Sequence, residues 1–171
     1  MAANPQHILL PVRVSFMTAS VVAALAFNLL PWQDIRGVPD LLALVLTFWC
    51  VHQPRKMGIG IAWLLGLLMD TANGALFGQH ALAYAALAYA AQGLHRRILG
   101  FSPWQQALHV LVLLLGSQLI MLAVRMVAGG TFPGVSFFVG SVICAMLWPL
   151  ASFILLAPQR RAEEVDETRP I

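Results

Sequence analysis

The chain is short of charge. Asp, Glu, Lys and Arg make up 10% of its 171 residues, against 60% hydrophobic residues, and the mean hydropathy is +0.80. So little polar surface cannot cover a soluble core of this size, and lipid must replace water around much of it. The few charges gather in turns and in the C-terminal stretch, which is how a polytopic membrane protein distributes them. The pI near 9.4 therefore reports orientation. No basic, aromatic-interleaved patch that could track phosphates is present, which excludes nucleic acid as a partner.

Catalytic signatures are missing as well: there is no GxSxG, HExxH, Walker or DxxD-type constellation. Cys50 and Cys144 sit inside apolar segments, without a CxxC pair or a histidine at ligand spacing. They read as buried small hydrophobes, which leaves no basis for redox chemistry, a metal or a cofactor. His52, His80, His95 and His109 are scattered over different segments, mostly at their ends, and suit interfacial positions. A catalytic histidine needs a nucleophile or paired acid within hydrogen-bond reach. Asp40 and Asp70 are the acid pair to consider, and with no nucleophile beside them the chain reads as a non-enzyme.

What is abundant is apolar sequence. Breaks at Pro, Gly and charge clusters leave six segments, near Val14 to Leu30, Pro39 to Val51, Met57 to Thr71, Leu76 to Leu94, Trp104 to Val124 and Val135 to Ala157. The expectation is an all-α, six-helix transmembrane bundle over residues 1–157 and a mobile tail over 158–171, PQRRAEEVDETRPI, too polar to order by burial. The second and third segments are short for a span of about 20 residues. Tilting and a re-entrant hairpin both account for that. Ala24-Leu25-Ala26 resembles a small-x-small cleavage site, but the start lacks a strongly basic region and the apolar run continues, which favours an uncleaved first helix.

Arg13, Arg55, Lys56, Arg96, Arg97, Arg160 and Arg161 all fall on one side of this six-span arrangement, and only Arg36 and Arg125 on the other. The positive-inside rule then makes both termini cytoplasmic. Asp40 and Asp70 bound the hairpin PDLLALVLTFWCVHQPRKMGIGIAWLLGLLMD at its outer end. Each lies about 20 to 24 Å from the basic turn along its helix, near the far face of the hydrocarbon core. Ionisable groups there need a partner or a wet cavity.

Asp70 has three readings: a structural hydrogen-bonding post, a proton or ion site, or the lining of a ligand cavity. Gln118 lies at similar depth, and Arg125 beyond it can bend back by snorkelling, so either is a candidate partner. Asp40 has Arg36 four residues earlier as a companion, unless Pro39 starts the helix and Asp40 sits in its first turn. Gly58, Ala62, Gly66 and Gly74 recur at four-residue spacing around Asp70. Such a stripe serves either internal packing or the docking of a partner helix. Trp32 and Trp104 flank segments as an aromatic belt does, Tyr84 and Tyr89 point in different directions, and Pro149 should kink the sixth helix.

Over nearly its whole length the chain resembles the proteobacterial form of MreD, the rod shape-determining membrane protein family. The resemblance is carried by VPDLLALVLTFWCVHQPRKMGIGIAWLLGLLMD, GQHALAYAALAYAAQGLHRRILGF and WPLASFILLAPQRRAEEVDETRPI, in that order and spacing. It implies a non-enzymatic subunit of the cell-elongation machinery in the bacterial inner membrane. The implied partner is MreC, which connects to the glycosyltransferase RodA, a class B penicillin-binding protein and cytoplasmic MreB filaments. It also implies a fold similar to the substrate-binding subunits of energy-coupling-factor transporters. That similarity raises an alternative, small-ligand binding in an outward-opening cavity lined by Asp40 and Asp70, with His80, Gln118 and Arg125 as the other outer polar groups.

Overall fold

The computed structural model describes residues 13–32, 37–74 and 76–159. Within them the chain forms six α-helices and no strand: α1 Val14–Asn28, α2 Leu41–His52, α3 Ile59–Ala72, α4 Gln79–Leu99, α5 Pro103–Val127 and α6 Val139–Leu156. Each coincides with one of the six expected apolar segments. A short 3-10 turn, Val135–Phe138, leads into α6, and another, Ala157–Gln159, follows it. Because Gln159 is buried, the packed bundle continues past its expected end at 157. The remainder of the expected tail, with Arg160 and Arg161, lies outside the described residues, as does Arg36.

Local chemistry fixes several helix starts. Asp40 is the N-cap of α2, its carboxylate accepting the Ala43 N–H at 2.9 Å. Pro39, expected to begin that helix, lies before it. Pro103 occupies the first turn of α5, behind Ser102, whose N–H donates to Gln105 Oε1 at 3.1 Å. Gly78 precedes α4 at φ +98°, and glycine has no side chain with which to cap it. That start must be satisfied from elsewhere.

Short connections make sequence neighbours antiparallel neighbours. The largest interface joins α3 to α4, and α4 also packs on α2 and α5. Alanines at 81, 83, 88 and 91 are buried on α4, and small side chains let neighbouring helices approach closely. α2 is the central rod, with Leu42 through Val51 buried all round except at Val45. A helix apolar on every side belongs in the interior. Its 12 residues rise only about 18 Å, and its neighbours shield it from the surroundings.

Aromatic packing closes the basic-turn end of α2. The Phe48 and His52 rings stack at 4.1 Å, with Trp148 of α6 5.9 Å from Phe48. The indole N–H groups of both buried tryptophans are satisfied: Trp148 Nε1 donates to Gln106 Oε1, and Trp49 Nε1 to Ser20 Oγ. α6 continues as a helix through Pro149. The exterior is apolar, with Leu108, Val112, Leu119, Met146, Phe153 and Leu64 among its exposed side chains. Surface of that kind over so much of a chain is made for lipid. Two helical stretches, Pro103–Val127 and Val135–Gln159, are long and apolar enough to cross a bilayer.

Candidate functional site

The two carboxylates stand at one end of the bundle, and each begins a helix. Asp70, near the end of α3, supplies the cap that Gly78 lacks. Its Oδ2 accepts the backbone N–H of Gly78 at 2.9 Å and of Ala81 at 3.3 Å, and its Oδ1 accepts the His80 N–H at 2.8 Å. The His80 ring adds Nδ1 at 2.7 Å from Oδ1. Asp70 is 1% exposed, so a neighbouring helix closes the first turn of α4 with a buried carboxylate. The carboxyl oxygens lie at the N-terminal end of α4, where acceptors meet the free backbone N–H groups.

Asp40 ties three helices together. Its Oδ1 takes the Ala43 N–H of its own helix and Asn28 Nδ2 of α1, the latter at 2.6 Å. Its Oδ2 accepts the Tyr84 hydroxyl of α4 at 2.8 Å. Asn28 Oδ1 in turn accepts the Leu41 N–H at 3.2 Å. The His80 and Tyr84 rings meet edge to face at 6.0 Å. A polar chain Asp70, His80, Tyr84, Asp40, Asn28 thus runs across α3, α4, α2 and α1.

Several expectations change here. Neither Gln118 nor Arg125 reaches Asp70; backbone N–H groups and His80 do. Gln118 Nε2 donates to the Phe137 carbonyl at 3.0 Å, while Arg125 packs over Gly130. The Asp40–Arg36 pairing lies outside the described residues. On α3, Ala62 and Gly66 are buried, and a Cβ on Gly66 would collide with the backbone of His80 and Ala81. The middle of the small-residue stripe is thus already occupied by α4, leaving no room there for a partner helix. Gly58 and Gly74 have open space around them.

Tyr84 and Asn28 are site residues that the sequence reading did not assign, and His80, named there among the outer polar groups, was not seen as the partner of Asp70. A signal existed for two of them: His80 follows Asp70 across one short turn, and Tyr84 lies one helical turn after His80 on the same face.

Between the ends of α1, α2, α3 and α5 lies a pocket of about 400 Å³, lined by Asn28, Asp40, Asn73, His80 and Gln118 among apolar walls that include Trp32, Met121 and Phe137. Asp40, His80 and Gln118 therefore converge, whereas Asp70 and Arg125 are not part of the lining. Gln118 Oε1 is buried without a hydrogen-bond partner, which costs about 1–3 kcal/mol. The amide orientation is fixed by the bond from Nε2 to a carbonyl, so the orphan is an acceptor.

A second concavity, about 420 Å³, runs between α1 and α6 over α2 and is almost wholly apolar, with Ala23, Ala24, Leu44, Leu147 and Ala151 in its walls. It exists because α1 packs on α2 without a comparable interface to α6. Cys50 and Cys144 are buried free thiols. No group of three or more His, Cys, Asp or Glu is placed to hold a metal among the described residues.

An all-helical bundle with a lipid-type exterior, in which one buried and one half-buried carboxylate serve as helix caps, defines a helical membrane protein. The family model of the rod shape-determining protein MreD matches residues 8–157. A rod shape-determining protein MreD of Haemophilus influenzae is 30% identical over 144 residues, covering 82% of this chain and 87% of the relative. The chain belongs to the MreD family of rod shape-determining proteins. No solved structure matches it significantly.

Proposed function

We propose that the protein is a non-enzymatic, multi-pass subunit of the bacterial inner membrane that binds MreC and helps regulate peptidoglycan synthesis during rod elongation. In this reading the six helices are six spans, both termini are cytoplasmic, and the fold is akin to the substrate-binding subunits of energy-coupling-factor transporters. RodA, a class B penicillin-binding protein and MreB are engaged indirectly, through MreC.

The observation that carries the reading is the apolar groove between α1 and α6. Its walls hold small side chains at Ala23, Ala24 and Ala151, the surface on which helices associate in lipid. The groove takes over the docking role first considered for Gly58, Ala62, Gly66 and Gly74. A helix of MreC held there in one orientation biases MreC between states that do and do not activate the synthase, provided the groove contacts the two states differently.

Affinity purification from gently solubilised membranes tests this. Ala23→Leu combined with Ala151→Leu fills the groove and should abolish recovery of MreC while leaving thermal stability unchanged. Undiminished MreC with the double variant would sink the docking site.

A second reading, a small-ligand-binding or transport subunit, is favoured by the polar pocket beside Asp40. A bound small molecule recovered in the absence of MreC would support it.

A further inference from the structure

The end of the bundle opposite Asp40 and Asp70 carries Arg55 and Lys56 in the turn between α2 and α3, and Arg96 and Arg97 in the last turn of α4, all exposed. Packing gathers them. Gln92 of α4 donates its Nε2 to the Met57 carbonyl at 2.7 Å, which fastens the turn to α4. Arg96 follows Gln92 by one helical turn on the same face, so it continues the edge on which the turn sits. Among the described residues no carboxylate accompanies the three arginines: Asp40 and Asp70 are the only ones there, and Asp70 stands about 17 Å along α3 from its start. Membrane orientation alone needs cations on one side, whether scattered or gathered.

Apolar surface adjoins the cations. Ile59 and Trp63, one turn apart on α3, are exposed, as are Leu94 and Leu99 of α4. A ligand with an anionic head and apolar tails meets both kinds of surface, at the level where headgroups lie against a bundle whose helices cross the bilayer.

We propose that Arg55, Arg96 and Arg97 form a docking surface for the phosphate of an anionic phospholipid, with Ile59, Trp63, Leu94 and Leu99 against its acyl chains. The assignment rests on the membrane-spanning reading of the bundle and is independent of MreC. Guanidinium groups match phosphate oxygens with several N–H donors, and a lipid, unlike a soluble phosphate, has chains for the apolar flank. The rival occupant is the acidic stretch Glu163, Glu164, Asp166 and Glu167 of the chain itself. Arg160 and Arg161 beside it in the sequence carry the opposite charge and weaken its attraction, whereas the headgroup of phosphatidylglycerol carries no cation.

The test uses the full chain, delipidated in detergent, with dioleoyl-phosphatidylglycerol and dioleoyl-phosphatidylethanolamine titrated in competition and bound lipid read by native mass spectrometry. Each cation at an anionic headgroup is worth about fivefold, so a preference for phosphatidylglycerol of about tenfold or more is expected. Arg96→Gln combined with Arg97→Gln should lower that preference at least about fivefold. Arg125→Gln, at the opposite end of the bundle, should leave it unchanged. Equal binding of the two lipids would overturn the proposal, as would a preference that survives loss of the arginine pair. A preference that emerges only after removal of residues 162–171 would make that stretch the occupant in place of lipid. Whether the helices span the bilayer is read separately, from the accessibility of cysteines introduced at the two ends.

Discussion

Gly66→Ala adds a single methyl group where α3 and α4 touch. The new carbon would lie against Ala81 Cα, 2.5 Å from the Ala81 nitrogen and 2.7 Å from the His80 carbonyl carbon. Carbon contacts settle at about 3.5–4.0 Å, so the helices must part by roughly 1 Å. Backbone atoms cannot swing aside as a side-chain tip would. The N–H of Ala81 is also one of the donors capped by Asp70, one helical turn along α3, so the same displacement opens the cap. Overpacking costs about 1–3 kcal/mol, and loss of one hydrogen bond to a carboxylate about 1.5–3 kcal/mol. The better helix propensity of alanine returns about 1 kcal/mol. The net expectation is a loss of about 2–4 kcal/mol, measured by denaturant or thermal unfolding of the purified protein in detergent. Gly60→Ala is the control, since Gly60 is on the same helix with open space around its Cβ position; it should be neutral or slightly stabilising. Equal stability of the two variants would refute the close α3–α4 contact and the reasoning built on it.

Other outcomes follow from the polar chain and the sidedness. Asp70→Asn presents an amide N–H₂ to backbone donors and should cost about 3 kcal/mol, with loss of rod-shape complementation; unfolding in detergent and a complementation assay read both. Tyr84→Phe removes only the hydroxyl bonded to Asp40 and should cost about 1–2 kcal/mol in the same unfolding measurement, less than Asp70→Asn. For topology, cysteine at Thr131 should react with a membrane-impermeant maleimide applied outside intact spheroplasts, while cysteine at Arg97 should react only after permeabilisation. The native thiols should stay silent in both, because Cys50 and Cys144 are buried; the reverse labelling pattern would invert the orientation.

The six helices and their order were legible in the sequence because each is an apolar run closed by Gly, Pro or charge, a signal that depends only on neighbours along the chain. The small-residue stripe was legible too, but not what fills it: Ala62 and Gly66 say that something comes close, and only the packing of α4 against them says what. Asp40 and Asp70 stood out by the cost of placing a carboxylate among apolar residues, which composition alone reveals. Their partners did not stand out, since hydrogen bonds depend on which helix ends share a corner of the bundle.

Sequence by itself determined a lipid-facing helical chain, the order of its apolar segments, its charge asymmetry and two carboxylates in need of partners. Tertiary structure decided that Asp70 caps a helix it does not belong to, that Asp40 joins α1, α2 and α4, and that α2 lies at the centre. It also decided that Asn28, Asp40, His80 and Gln118 surround one pocket. The reason is the reach of the forces: hydrophobic patterning and capping act within a few residues, whereas a carboxylate's partners and a cavity's walls are set by helices brought together from distant parts of the chain.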